Sequence, residues 1–241
     1  MVMEEYTSLR QRVLDANLLL ARSGLVILTW GNVSEADRVA GVFAIKPSGV
    51  PYNRMTVDDI VVVSLKTGDI IWGDLNPSSD TPTHLKLYQA WADVGGICHA
   101  HSTYSTAWSQ FGWGIVCAGT THADTFDGEV PITRKLKKQE IDAAYEAATG
   151  DVIIEAFSNK DGRDPMGTPA ALVRQHGPFS WGNSGYHAVE HMMILEEVAK
   201  INSIQSALMS SQYGGMGKLD ESLRRKHYER KHGSNATYGQ K

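Results

Sequence analysis

Short apolar runs that alternate with helical patterns constrain this chain to a sheet flanked by helices. In the first third of the chain, turn residues such as Lys66-Thr67-Gly68-Asp69 separate neighbouring runs, which indicates β-hairpins. The strands predicted there cover residues 26–30, 42–46, 60–65 and 69–72. Later strands are predicted at residues 96–101, 152–157 and 170–175, and the first two of these follow helical patterns instead. The sequence therefore predicts an α/β fold with a mixed central sheet.

Apolar residues at helical spacing predict five helices. In residues 5–23 these residues lie on one helix face, and Gly24 is expected to stop the helix. The other four helices are predicted at residues 83–91, 102–108, 138–148 and 184–209. Gly150 is expected to end the third of these four. The tail from Gly214 is polar and Gly-rich, which is typical of a segment that is disordered unless a partner binds it.

Length, charge and cysteine usage limit the class of protein. The 241 residues fit a single domain, and no linker or repeat divides them. A net charge of −4 gives no basic surplus for binding nucleic acid or an anionic membrane. Cys98 and Cys117 form neither a CxxC motif nor a disulfide framework. With an acidic N-terminus and no long apolar run, the sequence predicts a cytoplasmic protein.

The motif Cys98-His99-Ala100-His101 is the clearest chemical signal in the chain. Side chains alternate across a strand, so His99 and His101 are expected to point the same way. Two imidazoles on one face can bind a metal ion at roughly 2.0–2.1 Å from each nitrogen. His176 follows another predicted strand, and a third imidazole ligand leaves a coordination position open, as in catalytic sites. The alternative for each histidine is an ordinary structural or exposed residue.

A second metal motif competes with the first. His187-Ala188-Val189-Glu190-His191 matches the HxxEH pattern of inverted zinc peptidases, and both histidines fall on one helix face. The pattern is short, and a solvated helix face produces it by chance. We therefore favour a structural role for His187 and His191.

Three segments have residues suited to an anion. They are Trp30-Gly31-Asn32-Val33-Ser34, Lys46-Pro47-Ser48-Gly49 and Pro77-Ser78-Ser79-Asp80-Thr81-Pro82-Thr83. The third precedes a predicted helix, whose N-terminus favours phosphate. Asp124, in Gly119-Thr120-Thr121-His122-Ala123-Asp124, is either a solvated loop residue or a proton carrier. Each segment alone is a common turn, and none has the spacing of a P-loop.

In this order, the segments resemble the class II aldolase-like superfamily, which also includes the adducin head domain. The matching segments are TWGNVS, KPSG, PSSDTPTH, HAHS, GTTHAD, QHGPF and KHGSNATYGQ. Together they cover nearly the whole chain. The resemblance implies a single domain over residues 1–241, with a mostly antiparallel sheet in a three-layer fold. It also implies a homotetramer in which the tail, from about residue 214 to 241, contributes to a neighbouring subunit's site.

The resemblance also implies a role for each site residue. Metal ligands are His99, His101 and His176, with Asp80 at or near the ion. Zn²⁺ is the expected ion, and Mn²⁺ or Co²⁺ are alternatives. The implied phosphate and substrate contacts are Gly31, Asn32, Lys46, Ser48, Gly49, Ser78 and Ser79. Acid/base chemistry is assigned to Asp124 and Tyr238. The lesser candidates are Thr120, Glu146, His227 and Arg230.

Within the superfamily, the chain most resembles the L-ribulose-5-phosphate 4-epimerase branch. The aldolases of the family place a glutamate near the metal, where this chain has Asp80, and the tail with Tyr238 is epimerase-like. The implied reaction interconverts L-ribulose 5-phosphate and D-xylulose 5-phosphate. C4 has no directly acidic proton, and the sequence shows no nicotinamide-binding fingerprint for an oxidation route. Cleavage of the C3–C4 bond and re-addition can invert C4, with a Lewis acid stabilising the charge that develops. The alternatives are an aldolase that cleaves a sugar phosphate and a non-catalytic module like the adducin head.

Overall fold

The computed structural model describes residues 6–158, 162–209, 217–234 and 236. Its described part contains seven strands, which are β1 Asn32–Asp37, β2 Val42–Ile45, β3 Val61–Ser64, β4 Ile70–Trp72, β5 Gly96–His99, β6 Ala170–Leu172 and β7 Pro178–Gly182. It also contains seven α-helices, which are α1 Thr7–Arg22, α2 Thr81–Ala90, α3 Thr103–Phe111, α4 Thr120–Ala123, α5 Lys138–Ser158, α6 Gly185–Met209 and α7 Glu221–His232. A short 3-10 turn lies at Val57–Asp59.

The seven strands of the described chain form one sheet in the order β4-β3-β2-β1-β5-β7-β6. Each neighbouring pair of strands runs antiparallel. The first four strands follow one another as hairpins. A helix directly precedes β5 and another directly precedes β6, and β6 and β7 form a further hairpin. The predicted α/β fold with a mostly antiparallel sheet is confirmed.

Helices cover both faces of the sheet, and β2 shows how the sequence separates the two faces. Val42 and Ala44 pack into a cluster with Val13 of α1. Phe43 and Ile45 point to the other face, where they pack with residues of α2 and α5. The helices α3 and α6 cover the α1 face around β5. The protein therefore has three layers, as expected of strands whose side chains alternate between two buried faces.

The strand predicted at residues 26–30 is wrong. The chain forms turns there, and the central strand β1 begins at Asn32. The buried positions of β1 include Asn32, Ser34 and Glu35. Each side chain makes hydrogen bonds, for example from Arg12 Nε and Gly185 N to the two oxygens of Glu35. Because these buried residues are polar, the sequence has no apolar run at this position that would predict the strand.

The predicted helix end at Gly150 and the strand at residues 152–157 are also wrong. The helix α5 continues to Ser158, and Val152, Ile153 and Phe157 are its buried face. A Cβ at position 150 would lie 2.6 Å from Lys86 Cβ. Gly150 therefore allows α5 to pack closely against α2, and it does not end the helix.

The other predicted helices are confirmed with small shifts in their ends. The polar tail differs from its expectation, because residues 221–232 form α7, which packs beside α4. Asp220 caps this helix, with its side chain accepting from Ser222 N and Leu223 N. Tyr238 lies outside the described residues. In the described part of the chain, no helix is long and apolar enough to cross a bilayer.

Candidate active site

Three histidines meet at one end of the sheet. His99 is the last residue of β5, His101 follows two residues later, and His176 lies in the turn between β6 and β7. His99 Nε2 and His101 Nε2 are 3.0 Å apart. One ring nitrogen from each of the three residues lies within 4.8 Å of the others. The structure therefore brings together the three predicted metal ligands.

The environment of His99 fixes its tautomer. Its Nδ1 lies 2.8 Å from the carbonyl oxygen of Pro178. A carbonyl oxygen only accepts, so Nδ1 carries the proton and Nε2 presents its lone pair to the cluster. The ring also stacks on Phe179, with centroids 4.1 Å apart. His99 therefore has its ligand nitrogen aimed before any ion binds.

The histidines are neutral at pH 7. Burial and the neighbouring His101 lower the pKa of His99 to about 3. Burial and His99 lower the pKa of His176 to about 3, and burial lowers the pKa of His101. Tetrahedral ligand nitrogens at 2.0–2.1 Å from an ion are about 3.3 Å apart, close to the separation of His99 and His101. Neutral imidazoles at this spacing fit a divalent transition-metal ion.

Asp80 places a carboxylate beside the histidines. It directly precedes α2. Burial lowers the pKa of His101 and of His176, whereas the negative charge of Asp80 raises both. Asn32 Nδ2 donates to Asp80 Oδ2 over 2.6 Å and to Ser78 Oγ over 3.0 Å. Asn32 thus joins the carboxylate to the serine segment and orients both.

Backbone hydrogen bonds join two of the three segments suited to an anion, those at residues 46–49 and 77–83. Ser48 N donates to the carbonyl oxygen of Asn76 over 2.9 Å, and Ser78 N donates to that of Lys46 over 2.9 Å. Lys46 is 1% exposed, and its Nζ lies 4.9 Å from the ring centroid of Tyr52. Burial lowers the pKa of Lys46 to about 8. The two loops therefore present one buried ammonium and several hydroxyl groups.

These segments and the histidines line one cavity of about 380 Å³. Of the predicted site residues, it contains Gly31, Asn32, Lys46, Ser48, Gly49, Ser78, Ser79, Asp80, His99, His101 and His176. Glu146, a lesser candidate, also lines it. Among the described lining residues, Lys46 is the one lysine or arginine. An anion and a metal ion can thus be bound within the same small volume.

Gly31 is required by its close approach to β5. Its φ is +80°, and a Cβ there would lie 2.7 Å from the carbonyl oxygen of His99. Only glycine has easy access to this φ without a side chain that would displace the neighbouring strand. The turn after Trp30 can therefore lie directly against the histidine strand.

Asp124 does not line this cavity. It follows α4, and its carboxylate accepts from His227 Nδ1 over 2.9 Å and from Arg230 Nη2 over 2.9 Å. Lys231 Nζ is 3.7 Å away. Burial alone raises the pKa of Asp124, but the hydrogen bonds from Arg230 and His227 outweigh it, so the pKa is lowered. Asp124 is therefore a carboxylate bound by cations of α7, and the lesser candidates His227 and Arg230 are its partners.

Tyr145 is a cavity residue that the sequence analysis missed. It lines the cavity, and its hydroxyl lies 3.3 Å from His176 Nδ1. It directly follows Ala144, where α5 departs from helical geometry. Alanine is a strong helix former, so no local signal in the sequence indicates this break.

The HxxEH residues do not form a metal site. His191 Nδ1 lies 2.6 Å from the carbonyl oxygen of Trp181, and His187 Nδ1 lies 3.0 Å from Ser184 Oγ. Within the described residues, the cluster that could hold an ion is the one at His99, His101 and His176. The structural interpretation of His187 and His191 agrees with these contacts.

Comparisons with known proteins identify relatives that match nearly the whole chain. The chain is 48% identical over 233 residues to proteins named L-ribulose-5-phosphate 4-epimerase UlaF from Salmonella paratyphi A and Salmonella typhi. The matches cover 97% of this chain and 99% of each relative.

Solved structures of lower sequence identity share the fold. An L-fuculose 1-phosphate aldolase has a TM-score of 0.73 at 23% identity, with 92% of this chain and 95% of that chain covered. The enzyme of the same name from Glaciozyma antarctica PI12 has a TM-score of 0.73 at 20% identity, with 95% and 84% covered. Residues 11–203 match the family described as class II aldolase and adducin N-terminal domain. The chain therefore belongs to the class II aldolase and adducin N-terminal domain family.

Proposed function

We propose that the protein is a metal-dependent 4-epimerase that interconverts L-ribulose 5-phosphate and D-xylulose 5-phosphate. The observation that carries the proposal is the cavity in which three neutral histidines lie with the buried ammonium of Lys46 and three serines. This cavity suits a metal-binding keto sugar that carries a phosphate. The 48% identity to proteins named L-ribulose-5-phosphate 4-epimerase supports this substrate.

The residues His99, His101 and His176 hold a divalent ion, with Asp80 at or near it. Zn²⁺ is the proposed ion because a set of imidazoles with an open position is typical of catalytic zinc, and Mn²⁺ or Co²⁺ can replace it. When bound, the ion supplies a Lewis acid that stabilises the negative charge developed on substrate oxygens as the C3–C4 bond breaks. The depressed pKa values of the histidines keep them deprotonated for this role.

The phosphate is held by the two joined loops. Lys46 supplies the charge, while Ser48, Gly49, Ser78 and Ser79 supply hydroxyl and backbone donors, with Gly31 and Asn32 at the other side of the cavity. Cleavage leaves a two-carbon aldehyde phosphate. Its aldehyde group must rotate, so that the opposite face of the carbonyl meets the other fragment when the bond forms again. Several phosphate contacts hold that fragment at high effective concentration while its aldehyde end rotates.

Asp124 and Tyr238 are the proposed acid/base pair for the C4 hydroxyl group. Each would serve one face of the rotating aldehyde, taking a proton on one side and returning one on the other. Asp124 does not line the cavity of its own subunit, which supports a homotetramer whose sites receive these groups from a neighbouring subunit. The single domain, with its tail reaching that neighbour, acts in the cytoplasm on a free sugar phosphate.

The decisive experiment is conversion of L-ribulose 5-phosphate to D-xylulose 5-phosphate by the purified protein. A chelated sample and a Zn²⁺-restored sample are the controls. Conversion that stops with the chelator and returns with the ion supports the proposal. Release of a free two-carbon aldehyde phosphate in place of the epimer would identify a sugar-phosphate aldolase. Absence of both products from metal-loaded protein would refute the proposed function and favour the non-catalytic module.

A further inference from the structure

The helix α5 is interrupted beside the candidate metal centre. Ala144 has φ −162° and ψ 72°, an extended conformation between two helical segments. The next two residues, Tyr145 and Glu146, both line the cavity. Since an uninterrupted helix advances its side chains by a fixed angle, the break resets which residues face the histidines. The interruption therefore determines what the second segment of α5 presents to the site.

The Tyr145 hydroxyl contacts the outer nitrogen of His176. The oxygen lies 3.3 Å from Nδ1, and the two ring centroids are 6.0 Å apart. With Nδ1 next to tyrosine, Nε2 is the nitrogen left for an ion. A neutral imidazole that binds a metal through Nε2 carries its proton on Nδ1. In that state Nδ1 donates and the tyrosine oxygen accepts.

His99 provides a comparison within the same site. Its Nδ1 donates to the carbonyl oxygen of Pro178, and this contact orients its ring and sets its tautomer. Metal-binding histidines generally have such an outer partner. For His99 the partner is a backbone atom, whereas for His176 it is a side chain. The partner of His176 can therefore be removed by a single substitution.

The backbone that directly follows the break is anchored by two hydrogen bonds. Thr149 Oγ1 donates to the carbonyl oxygen of Tyr145 over 2.9 Å. Thr83 Oγ1, on α2, donates to that of Glu146 over 2.6 Å. Thr83 is buried, and the contact of Gly150 with Lys86 brings the same two helices close together. The second segment of α5 is thus fixed to α2, which also begins next to Asp80.

We propose that Tyr145 is a positioning residue for His176, placed by the interruption of α5, and that it holds the ring in the orientation that binds the metal ion. The inference rests on the metal-dependent function proposed above. Tyr145 acts through the histidine ring, so its effect appears in the affinity for the ion before any substrate is added.

The test measures the dissociation constant for Zn²⁺ of the full-length protein by competition with a chromophoric chelator. Loss of an outer partner typically weakens metal binding by about 10–100-fold, and this is the expected effect of Tyr145→Phe. The Co²⁺-loaded variant is expected to show shifted visible absorption bands, because these bands report ligand geometry. Tyr186→Phe, at an exposed tyrosine of α6, is the matched control and is expected to bind both ions like the parent protein.

A double-mutant cycle separates positioning from a general structural effect. In a His176→Asn background, Tyr145→Phe is expected to cause no further loss of Zn²⁺ affinity. An equal loss in both backgrounds would overturn the proposal, as would unchanged affinity and unchanged Co²⁺ bands in the single variant. The measurement uses no substrate. A parent protein that binds Zn²⁺ without epimerising refutes the proposed reaction alone, whereas one that binds no ion refutes both proposals.

Discussion

The histidine cavity and the surroundings of Asp124 are built in opposite ways. His99 is 2% exposed, lies on a central strand and is neutral because burial lowers its pKa to about 3. Asp124 is charged and is bound by cations of α7, and none of the residues of that helix, all within the described chain, is buried. The first region depends on packing and backbone hydrogen bonds. The second depends on ion pairs at the surface.

This difference separates two requirements of the proposed chemistry. A metal centre needs deprotonated ligands in fixed positions, which a rigid sheet helps to provide. A proton-transfer group must be accessible to the substrate, and Asp124 is here ion-paired to a helix that has no buried residue. Variants, pH and salt should therefore affect the two regions separately.

The largest expected effect is that of His99→Asn on metal content. Removing a Lewis acid that supplies several kcal/mol lowers turnover by roughly 10⁴-fold. Elemental analysis should show loss of the ion, while circular dichroism shows that the fold is kept. His187→Asn is the matched control at the rival motif and should retain the ion. Full metal occupancy in His99→Asn would remove His99 from the ligand set.

Asp124→Asn should give the complementary result. Loss of a general acid/base group lowers turnover by about 10³-fold, but the metal content should be unchanged. Asp127→Asn is a suitable control, because it removes a different acidic partner of α7, the one paired with Arg224. Tyr238→Phe is expected to behave like Asp124→Asn. Loss of the ion from either catalytic variant would contradict the separation of the two regions.

The pH dependence of kcat/KM should show whether Lys46 is the cation that binds the substrate phosphate. Its pKa of about 8 in the folded protein means that it is charged below that pH and neutral above it. The second pKa of a phosphate monoester is near ~6, so the substrate charge is constant there. Hydrogen bonds to charged groups contribute about 1.5–3 kcal/mol, so kcat/KM should fall by about tenfold or more above pH 8. Lys46→Arg stays charged and should abolish this decline, and the same decline in that variant would contradict the assignment.

The smallest expected effect is that of salt on the two regions. The Debye length shortens from about 10 Å at 0.1 M to about 3 Å at 1 M salt, which weakens partly exposed ion pairs. Such pairs contribute about 0–1 kcal/mol each, so amide exchange in α7 should accelerate only severalfold. Hydrogen exchange measured by mass spectrometry in both salts tests this. The peptides of β5 and β7 serve as the internal reference, and equal acceleration there would remove the distinction.

Much of this architecture can be predicted from the sequence, because apolar runs and turn residues mark most strands. The exception at β1 is instructive, since Asn32, Ser34 and Glu35 are buried by hydrogen bonding. Gly150 shows a second limit, because the same residue type ends one helix and allows two others to pack closely. In both cases the deciding partner is distant in the sequence.

The site residues that belong to sequence motifs can be predicted from the sequence. Those that tertiary packing brings to the site cannot. The cavity residues from Gly31 to His176 belong to segments recognised in order along the chain. Tyr145 is not predicted, because no local signal marks the break at Ala144 and the hydrogen bond next to the break comes from Thr83 of α2. The partners of Asp124 lie on α7, in a polar tail whose composition did not predict a helix. The roles of the cavity residues, and that of Tyr238, stay predictions until the variants are measured.

The backbone bonds that join the loops at Lys46–Ser48 and Asn76–Ser78 have an evolutionary consequence. Bonds between main-chain atoms survive most changes of side chain. The frame of these two loops can therefore persist while the side chains around it diverge. New substrate preferences can arise in such a lineage by exchange of lining residues, without a period in which the loops come apart.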